Sequence, residues 1–309
     1  MAADLGLRLQ SVGPELARVG LASGDRIVAV DGLVPRDIID LQLDLPGARR
    51  LSVQRASGDR IELRAPDGLA GAVVEDPVPG GIRECNNHCE FCFIRGLPPG
   101  LRPTLYVFDD DYRYSFLWGN FLTLTNLSTA DWARIGYQRL SPLNVSVHAT
   151  NPTIRRRLLN NRHAPEILPQ LRRLASFGVR VHTQVVVCAG VNDRACLDQT
   201  IGDLAELHPN VQSVSIVPVG LTAFSRVRTL RRPTPAEAAE AVQQIERWQA
   251  RLRPRLASGS PTAAMSCTCS PAETYRPARR TTGFPCCRMA SGCCAACSTI
   301  GTSYWRDGR

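Results

Sequence analysis

The sequence predicts an α/β protein with a small β-rich domain first and a parallel β/α domain after it. Up to about residue 74, apolar and polar residues alternate in short runs separated by glycine-containing turns, which is typical of a half-buried antiparallel sheet. From about Asp76, apolar strand candidates alternate with amphipathic helical segments, which indicates a parallel β/α architecture. A chain of 309 residues, 44% of them hydrophobic, is long enough for about two domains.

The N-terminal part contains a turn, an alternating strand and a second turn over Gly20–Gly32. Two more alternating runs, Arg50–Arg55 and Arg60–Arg64, flank residues 56–59 and predict a hairpin. The Gly20–Gly32 run resembles PDZ domains, small β-sheet modules that bind an extended peptide along a sheet edge. The resemblance implies a peptide or protein partner for residues 1–75. A module that only packs against the rest of the chain as a lid or spacer is an equal alternative.

The β/α part has four strand candidates and three helical segments. The strand candidates are Phe121–Thr125, Asn144–Ala149, Arg180–Cys188 and Gln212–Val219. The helical segments are Pro165–Phe177, Ala195–Leu207 and Pro235–Arg253. Four to six such units are expected, and active residues of parallel barrels gather at the carboxyl ends of the strands.

One loop carries three cysteines, Cys85, Cys89 and Cys92, at the spacing C-x3-C-x2-C. Three thiolates from one loop can bind a single inorganic centre. Cysteine thiolates are the usual ligands of iron–sulfur clusters, and a [4Fe–4S] cluster with three protein ligands can accept a small molecule at its fourth iron. A zinc site would need a fourth ligand, normally from a second pair downstream, and His88 inside the loop is poorly placed for that role. Inert thiols are the third alternative.

Phe91 stands immediately before the third cysteine, and together with the spacing it resembles the radical S-adenosylmethionine superfamily. The resemblance implies a partial (β/α)6, TIM-like barrel, a [4Fe–4S] cluster held by the three cysteines, and S-adenosylmethionine as cofactor. It also implies a reductant such as flavodoxin or ferredoxin. Phe91 would pack beside the adenine. Gly119 and Asn120 stand where the superfamily often has a Gly-rich element that contacts the methionine part of the cofactor.

Polar residues on two later strands complete the candidate site. Alternation places Ser146 and His148 on one strand face, where both are candidate catalytic residues and Ser146 also a candidate cofactor ligand. A histidine satisfied within the core is the alternative for His148. Asn192 belongs to a Gly-x-Asn-Asp turn that recurs in the superfamily and closes the barrel around the cofactor. Cys188 could donate to a radical, although buried cysteine is most often inert packing.

Three segments, residues 97–127, 139–150 and 213–222, resemble one narrower group of bacterial radical S-adenosylmethionine proteins. That group joins an N-terminal PDZ-like domain to a C-terminal domain of unknown function 512 and is sometimes labelled an iron–sulfur oxidoreductase. The resemblance implies an enzyme that generates a 5′-deoxyadenosyl radical on an unknown substrate. The alternative is a non-catalytic iron–sulfur protein that transfers electrons or senses redox state, with the PDZ-like module recruiting a partner.

Arginine supplies all the basic residues behind the net charge of +9, because the sequence contains no lysine. Schiff-base catalysis, a pyridoxal phosphate anchor and a P-loop all need lysine, so these classes are excluded. The arginines are scattered among acidic residues, which makes an RNA substrate the less favoured alternative. The acidic run Asp109–Asp111 is expected in a solvated loop, although a cation, Arg113 or a substrate could offset its charge.

The predicted domains are residues 1–75, 76–255 and 256–309. The start of the chain lacks a secretion signal and no apolar stretch is long enough to cross a membrane, so a reducing cytoplasm is the expected location. The last segment holds seven of the twelve cysteines, Cys267, Cys269, Cys286, Cys287, Cys293, Cys294 and Cys297. A second cluster site is one interpretation. Adjacent cysteine pairs are poor ligands for one metal, so an out-of-frame, disordered segment without function is expected instead.

Overall fold

A computed structural model describes residues 6–256 of the chain. The seven cysteines of the last segment, for which the sequence predicts an out-of-frame origin or a second cluster site, lie outside the described residues. The described chain divides into two compact units, each built from segments that are not consecutive in the sequence. The first comprises the chain up to Asn87, Gly100–Ser146 and His163–His182; the second comprises His88–Pro99, Val147–Arg162 and the chain from Thr183 on.

The N-terminal region is a five-stranded antiparallel sheet with the strand order β4-β3-β2-β1-β5. Its strands are β1 (Leu7–Ser11), β2 (Arg26–Val30), β3 (Arg50–Gln54), β4 (Arg60–Arg64) and β5 (Val73–Val74), and its helices are α1 (Pro14–Arg18) and α2 (Ile38–Asp44). Alternation along the strands buries one set of side chains, including Leu7, Ile27 and Val53, in a single core. The sheet therefore has its own hydrophobic interior.

The predicted hairpin is confirmed. Strands β3 and β4 pair in an antiparallel register that runs from Arg50 opposite Arg64 to Gln54 opposite Arg60. The turn between them contains Gly58 at φ +97°, a backbone conformation that glycine adopts without a steric penalty. The glycine-containing turn and the alternation of apolar residues therefore favour the same pairing of β3 with β4.

The α/β region contains a four-stranded sheet with the order β6-β7-β8-β9, in which β6 and β7 are parallel. Its strands are β6 (Phe121–Leu122), β7 (Leu143–Ser146), β8 (Val181–Val187) and β9 (Val211–Pro218). Its helices are α3 (Tyr112–Trp118), α4 (Thr129–Gln138), α5 (Pro152–Leu159), α6 (Ile167–Ser176), α7 (Arg194–Ala205) and α8 (Pro235–Leu256), with short 3-10 turns at Ile94–Gly96 and Pro103–Tyr106. Strand β8 passes from the first unit into the second after His182.

All four predicted strands and all three predicted helices of this region are present, but two strands end early. Strand β6 stops at Leu122 and β7 at Ser146, whereas the sequence predicted strands to Thr125 and Ala149. Leu124 has φ +60° and His148 has φ +62°, which is left-handed backbone that an extended strand cannot contain. The described part of the chain contributes four strands to this sheet instead of the six of the predicted barrel.

Side-chain caps fix the starts of three helices that the sequence did not predict. Asp111 accepts from the backbone N–H of Arg113 at the start of α3. Ser128 and Asp131 form a reciprocal capping box at the start of α4. Asn151 caps α5, and Pro152 occupies its first position. Within residues 6–256, no helix is long and apolar enough to cross a membrane.

Candidate functional site

The three cysteines of the loop all carry thiols and are half-buried. Cys85 belongs to the first unit, and Cys89 and Cys92 belong to the second. Thiols at this spacing are a donor set that fits an iron–sulfur cluster, in which each cysteine binds a different iron atom. Among the described residues, no three His, Cys, Asp or Glu side chains are gathered as ligands of one metal ion. The cluster assignment stays a prediction from the donor chemistry of the loop.

Cys85 is fixed by its backbone and receives a side-chain hydrogen bond. Its N–H donates to the carbonyl oxygen of Phe108 at 2.7 Å. The amide nitrogen Nδ2 of Asn87 lies 3.2 Å from the Cys85 Sγ and donates to it. Asn87 is buried, with only 4% of its surface exposed. Asn87 was not predicted as a site residue, although its place between two candidate cluster cysteines was a signal.

A buried polar network lies behind Asn87. Its Nδ2 is 2.9 Å from the Thr123 hydroxyl and 2.8 Å from the Thr125 hydroxyl. The Thr123 hydroxyl donates to Asp110 Oδ2 at 2.7 Å, and the Thr123 N–H donates to Asp110 Oδ1 at 2.5 Å. The Thr125 hydroxyl donates to Asn86 Oδ1 at 2.6 Å. Asp110 is therefore a buried acceptor at the end of a chain of hydrogen bonds that begins at the Cys85 sulfur.

The expected solvated loop at Asp109–Asp111 is wrong for two of its three residues, because Asp110 and Asp111 are each 1% exposed. Arg113 binds Asp111 through Nη2–Oδ2 at 2.6 Å and Nε–Oδ1 at 3.0 Å. Burial alone would raise the pKa of Asp111, but hydrogen bonds from Arg113 and from the Arg83 N–H lower it below its ordinary value. Burial raises the pKa of Asp109, which is only half-buried.

Gly119 and Asn120 lie on the surface of the first unit, between α3 and β6. Gly119 ends α3 in the left-handed conformation, at φ +77°. Asn120 Nδ2 donates to Asp109 Oδ2 at 2.5 Å. The pair therefore ends a helix and holds one carboxylate, and its contact with a cofactor stays a prediction.

The other two cysteines lie where the loop closes into a turn. The N–H of His88 donates to the carbonyl oxygen of Leu159 at 2.9 Å, and Cys89 Sγ lies 3.8 Å from the same oxygen. The Cys92 N–H donates to the Cys89 carbonyl oxygen at 3.3 Å, and the Gly96 N–H donates to the Cys92 carbonyl oxygen at 3.2 Å. Backbone hydrogen bonds thus fix the loop on both sides of Phe91.

Phe91 and His148 meet edge to face, with ring centroids 4.9 Å apart and an interplanar angle of 75°. His148 Nδ1 accepts a hydrogen bond from the Val186 N–H at 3.3 Å, which places the imidazole proton on Nε2. Burial, and then the positive charge of Arg155, lower the pKa of His148 to about 3. His148 is therefore neutral at physiological pH.

Ser146 and His148 do not share a strand face, contrary to the sequence prediction. Ser146 is the last residue of β7, and His148 follows it in left-handed backbone. Both side chains are buried, Ser146 in the first unit and His148 in the second. Their role in catalysis or cofactor binding stays a prediction that alternation no longer supports.

Asn192 is fully buried and joins two stretches of backbone. Its Nδ2 donates to the carbonyl oxygens of His148 at 2.7 Å and Val186 at 2.9 Å, and its Oδ1 accepts from the Cys188 N–H at 2.7 Å. The Asn192 amide thus holds the His148 loop against the end of β8. Direct contact of Asn192 with a cofactor stays a prediction.

Two further residues of the second unit are buried near this loop. The fully buried Arg155 donates from Nη1 to the carbonyl oxygen of Val147. Cys188 belongs to a core cluster against which Phe91 packs. Burial, and then the charges of Asp193 and Glu90, raise the pKa of Cys188 to about 12, so its thiol stays protonated.

Residues 64–214 match the family model described as a radical SAM-like domain. This part of the α/β region is therefore similar to a radical SAM-like domain, and the cysteine loop, Phe91, His148 and Asn192 all lie within the matched residues. The match stops short of α8.

Two solved structures of Streptococcus suis SuiB are similar to the chain at 10% identity. The form bound to S-adenosylmethionine aligns over 55% of this chain and 43% of SuiB with a TM-score of 0.39. The form bound to the precursor peptide SuiA aligns over 56% and 45% with a TM-score of 0.40. The chain thus spans less than half of SuiB.

A radical SAM methyltransferase from Sphaerobacter thermophilus is also similar to the chain. The two share 20% identity over 71% of this chain and 72% of the methyltransferase, with a TM-score of 0.33. No curated protein matches the chain.

Proposed function

We propose that the protein is a radical S-adenosylmethionine enzyme in which Cys85, Cys89 and Cys92 hold a [4Fe–4S] cluster. The observation that carries the proposal is the match of residues 64–214 to a radical SAM-like domain that contains the C-x3-C-x2-C loop. When bound and reduced, the cluster supplies the electron that cleaves S-adenosylmethionine and yields a 5′-deoxyadenosyl radical. We also propose that the N-terminal sheet is a PDZ-like domain and that the enzyme is an oxidoreductase.

Phe91 packs beside the adenine in this proposal, and His148 acts as its positioning residue. The edge-to-face contact, at 4.9 Å between ring centroids, limits the orientations that the Phe91 ring can take. A histidine with a pKa of about 3 is too weak a base to accept a proton near pH 7. His148 therefore contributes as a neutral ring with a donor at Nε2, and Ser146 and Gly119–Asn120 supply polar contacts to cofactor or substrate.

Asn192 fixes the backbone that carries His148. Its hydrogen bond to the His148 carbonyl oxygen fixes the backbone that carries the imidazole. Its two other hydrogen bonds, to Val186 and Cys188, fix the end of β8. A site whose supporting backbone is held in this way keeps its geometry when a ligand binds.

The proposal needs a one-electron reductant, and flavodoxin or ferredoxin is the class of partner that supplies one. The N-terminal sheet would bind a peptide or protein through a sheet edge. An oxygen-sensitive cluster favours a reducing compartment such as the cytoplasm.

The test is cleavage of S-adenosylmethionine by the full-length protein. The protein is reconstituted with iron and sulfide without oxygen, reduced with dithionite and given S-adenosylmethionine, and 5′-deoxyadenosine is measured by chromatography. We expect 5′-deoxyadenosine from the wild type and from Cys196→Ala, and none from Cys89→Ala. A wild-type cluster that is reduced and reoxidised normally without forming 5′-deoxyadenosine would overturn the enzyme proposal in favour of a non-catalytic electron-transfer protein.

A further inference from the structure

We propose that Asn87 raises the reduction potential of the cluster by donating a hydrogen bond to the sulfur of Cys85. The proposal rests on the cluster assignment made above. It assigns a task to a buried residue that is not itself a cluster ligand.

The geometry of Asn87 directs its amide nitrogen at the sulfur. Nδ2 lies 3.2 Å from Cys85 Sγ, which is a short donor distance for sulfur. Cys85 is fixed by the hydrogen bond from its own N–H to Phe108. With 4% of its surface exposed, Asn87 has little access to water that could replace this contact.

The threonine network fixes which end of the amide faces the sulfur. Thr123 gives its only hydroxyl proton to the carboxylate of Asp110, so its oxygen presents lone pairs to Asn87. The hydroxyl oxygens of Thr123 and Thr125 are 2.8 Å apart, close enough to share one amide proton as a three-centre bond. The second proton of Nδ2 is then directed at the sulfur of Cys85. A flipped amide would instead place its oxygen against the thiolate of a cluster-bound Cys85, which has no proton to donate.

A hydrogen bond to a ligand sulfur stabilises the more negative state of an iron–sulfur cluster. Hydrogen bonds to the sulfurs are one of the factors that set cluster potentials. Reduction adds one negative charge, so the N–H of Asn87 favours the reduced cluster more than the oxidised one. Burial strengthens the effect, because the low local dielectric screens the interaction less than water does. Removal of the donor should therefore make the cluster harder to reduce.

The experiment compares Asn87→Leu with Asn86→Leu in the reconstituted full-length protein. Leucine has nearly the shape of asparagine but no donor. Asn86 is exposed, donates to the carbonyl oxygen of Thr125 and accepts from the Thr125 hydroxyl. Its substitution changes the same loop, while Thr123 and Asp110 still direct the Asn87 amide at the sulfur. Iron and sulfide content is measured first. The midpoint potential is then measured by dithionite titration with mediator dyes, followed by absorbance and electron paramagnetic resonance.

We expect Asn87→Leu to lower the one-electron reduction equilibrium constant about tenfold, which is about 59 mV towards more negative potential. Asn86→Leu should change the constant by less than about twofold, or about 18 mV. Thr123→Val retains Asn87 but removes the oxygen that orients it, so it should lower the potential in the same direction by a smaller amount. If Asn87→Leu fails to assemble a cluster, the midpoint potential of Thr123→Val tests the inference instead.

Wild-type potentials in both Asn87→Leu and Thr123→Val would overturn the inference. If the wild type also cleaves S-adenosylmethionine, such a result leaves the proposed function intact and removes only the role of Asn87. A wild-type protein that assembles no cluster would instead overturn the proposed function and this inference together.

Discussion

Arg134 on α4 binds the carboxylate of Asp37, which caps α2, through two hydrogen bonds of 2.6 Å. Both side chains are buried, with 8% of Arg134 and 0% of Asp37 exposed. Arg134 also donates to Asp40 at 2.9 Å, and Gln138 donates to the same Asp40 oxygen at 2.7 Å. The N-terminal sheet region and the start of the α/β region thus share a buried ion pair within one compact unit.

Loss of the Asp37 charge should destabilise the protein strongly. Asp37→Asn can still cap α2 but leaves the buried guanidinium of Arg134 with a weaker partner. We expect a loss of about 3–5 kcal/mol in the free energy of unfolding, measured by urea denaturation near pH 7.

The matched control is Glu240→Gln, which breaks the exposed ion pair between Arg194 and Glu240 at 3.2 Å. Exposed pairs contribute little, so the expected loss is below about 1 kcal/mol. Equal losses in Asp37→Asn and the control would show that the buried pair does not stabilise the fold.

Replacement of Cys85, Cys89 or Cys92 by alanine should abolish cluster assembly. Each would supply one of only three protein ligands, so the loss of any one leaves the cluster with too few. The measurement is the absorbance at about 400 nm and the iron content after anaerobic reconstitution. Cys188→Ala and Cys196→Ala are the controls and should keep both signals. A complete cluster in Cys89→Ala would contradict the assignment.

The buried neutral His148 should make the protein less stable in mild acid. In the unfolded chain a histidine titrates at about 6.5, whereas burial holds the folded-state pKa at about 3. The unfolded state therefore binds a proton that the folded state does not. The stabilising contribution of His148 is present above about pH 6.5 and is lost as pH falls from there towards about 3.

The measurement is urea unfolding of the wild type and of His148→Gln at pH 7.5 and 5.5. Glutamine retains an acceptor for the Val186 N–H but does not titrate. The wild type should lose about 1.4 kcal/mol more than the variant between these two pH values. Equal losses would mean that His148 is protonated in the folded protein.

Substitution of Asn192 by aspartate should destabilise the loop that carries His148. Aspartate keeps an acceptor for Cys188 but loses both donors and places a buried negative charge against two carbonyl oxygens. We expect a loss of about 2–5 kcal/mol in the free energy of unfolding.

Asn151→Asp is the matched control for this substitution. Asn151 uses only its Oδ1, which accepts from the N–H groups of Thr153 and Ile154, and aspartate caps helices equally well. Its unfolding free energy should stay within about 0.5 kcal/mol of the wild type. A similar loss in both variants would mean that the added negative charge, and not the loss of the two Asn192 donors, destabilises the protein.

The sequence predicted those parts of the fold that local pattern determines. The β3–β4 hairpin and helices α6 to α8 were found where alternation, turn residues and amphipathic spacing placed them. The ends of β6 and β7 were not predicted, because they depend on the left-handed conformations of Leu124 and His148. Positive φ is commonest for glycine and is enriched in asparagine, aspartate and histidine, so Leu124 gave no signal and His148 only a weak one.

Only part of the candidate site was predicted, because its other contacts join residues that are far apart in the sequence. The cysteine loop was evident from spacing within eight residues. The burial of Asp110 depends on Thr123, thirteen residues further along the chain, and could not be seen from three adjacent carboxylates. The contact between Phe91 and His148 joins residues far apart in the sequence, which only the folded chain brings together.

The raised pKa of Cys188 has a consequence for the protein in air. With a pKa of about 12, on the order of one Cys188 side chain in 100,000 is a thiolate at pH 7, and the thiolate is the form that peroxide attacks. Its core position also keeps oxidants away, since none of its surface is exposed. Among the cysteines that the structure describes, oxidation should therefore spare Cys188 and attack the half-buried thiols of the cluster loop. An oxidised preparation would keep its folded core while losing the capacity to rebuild a cluster.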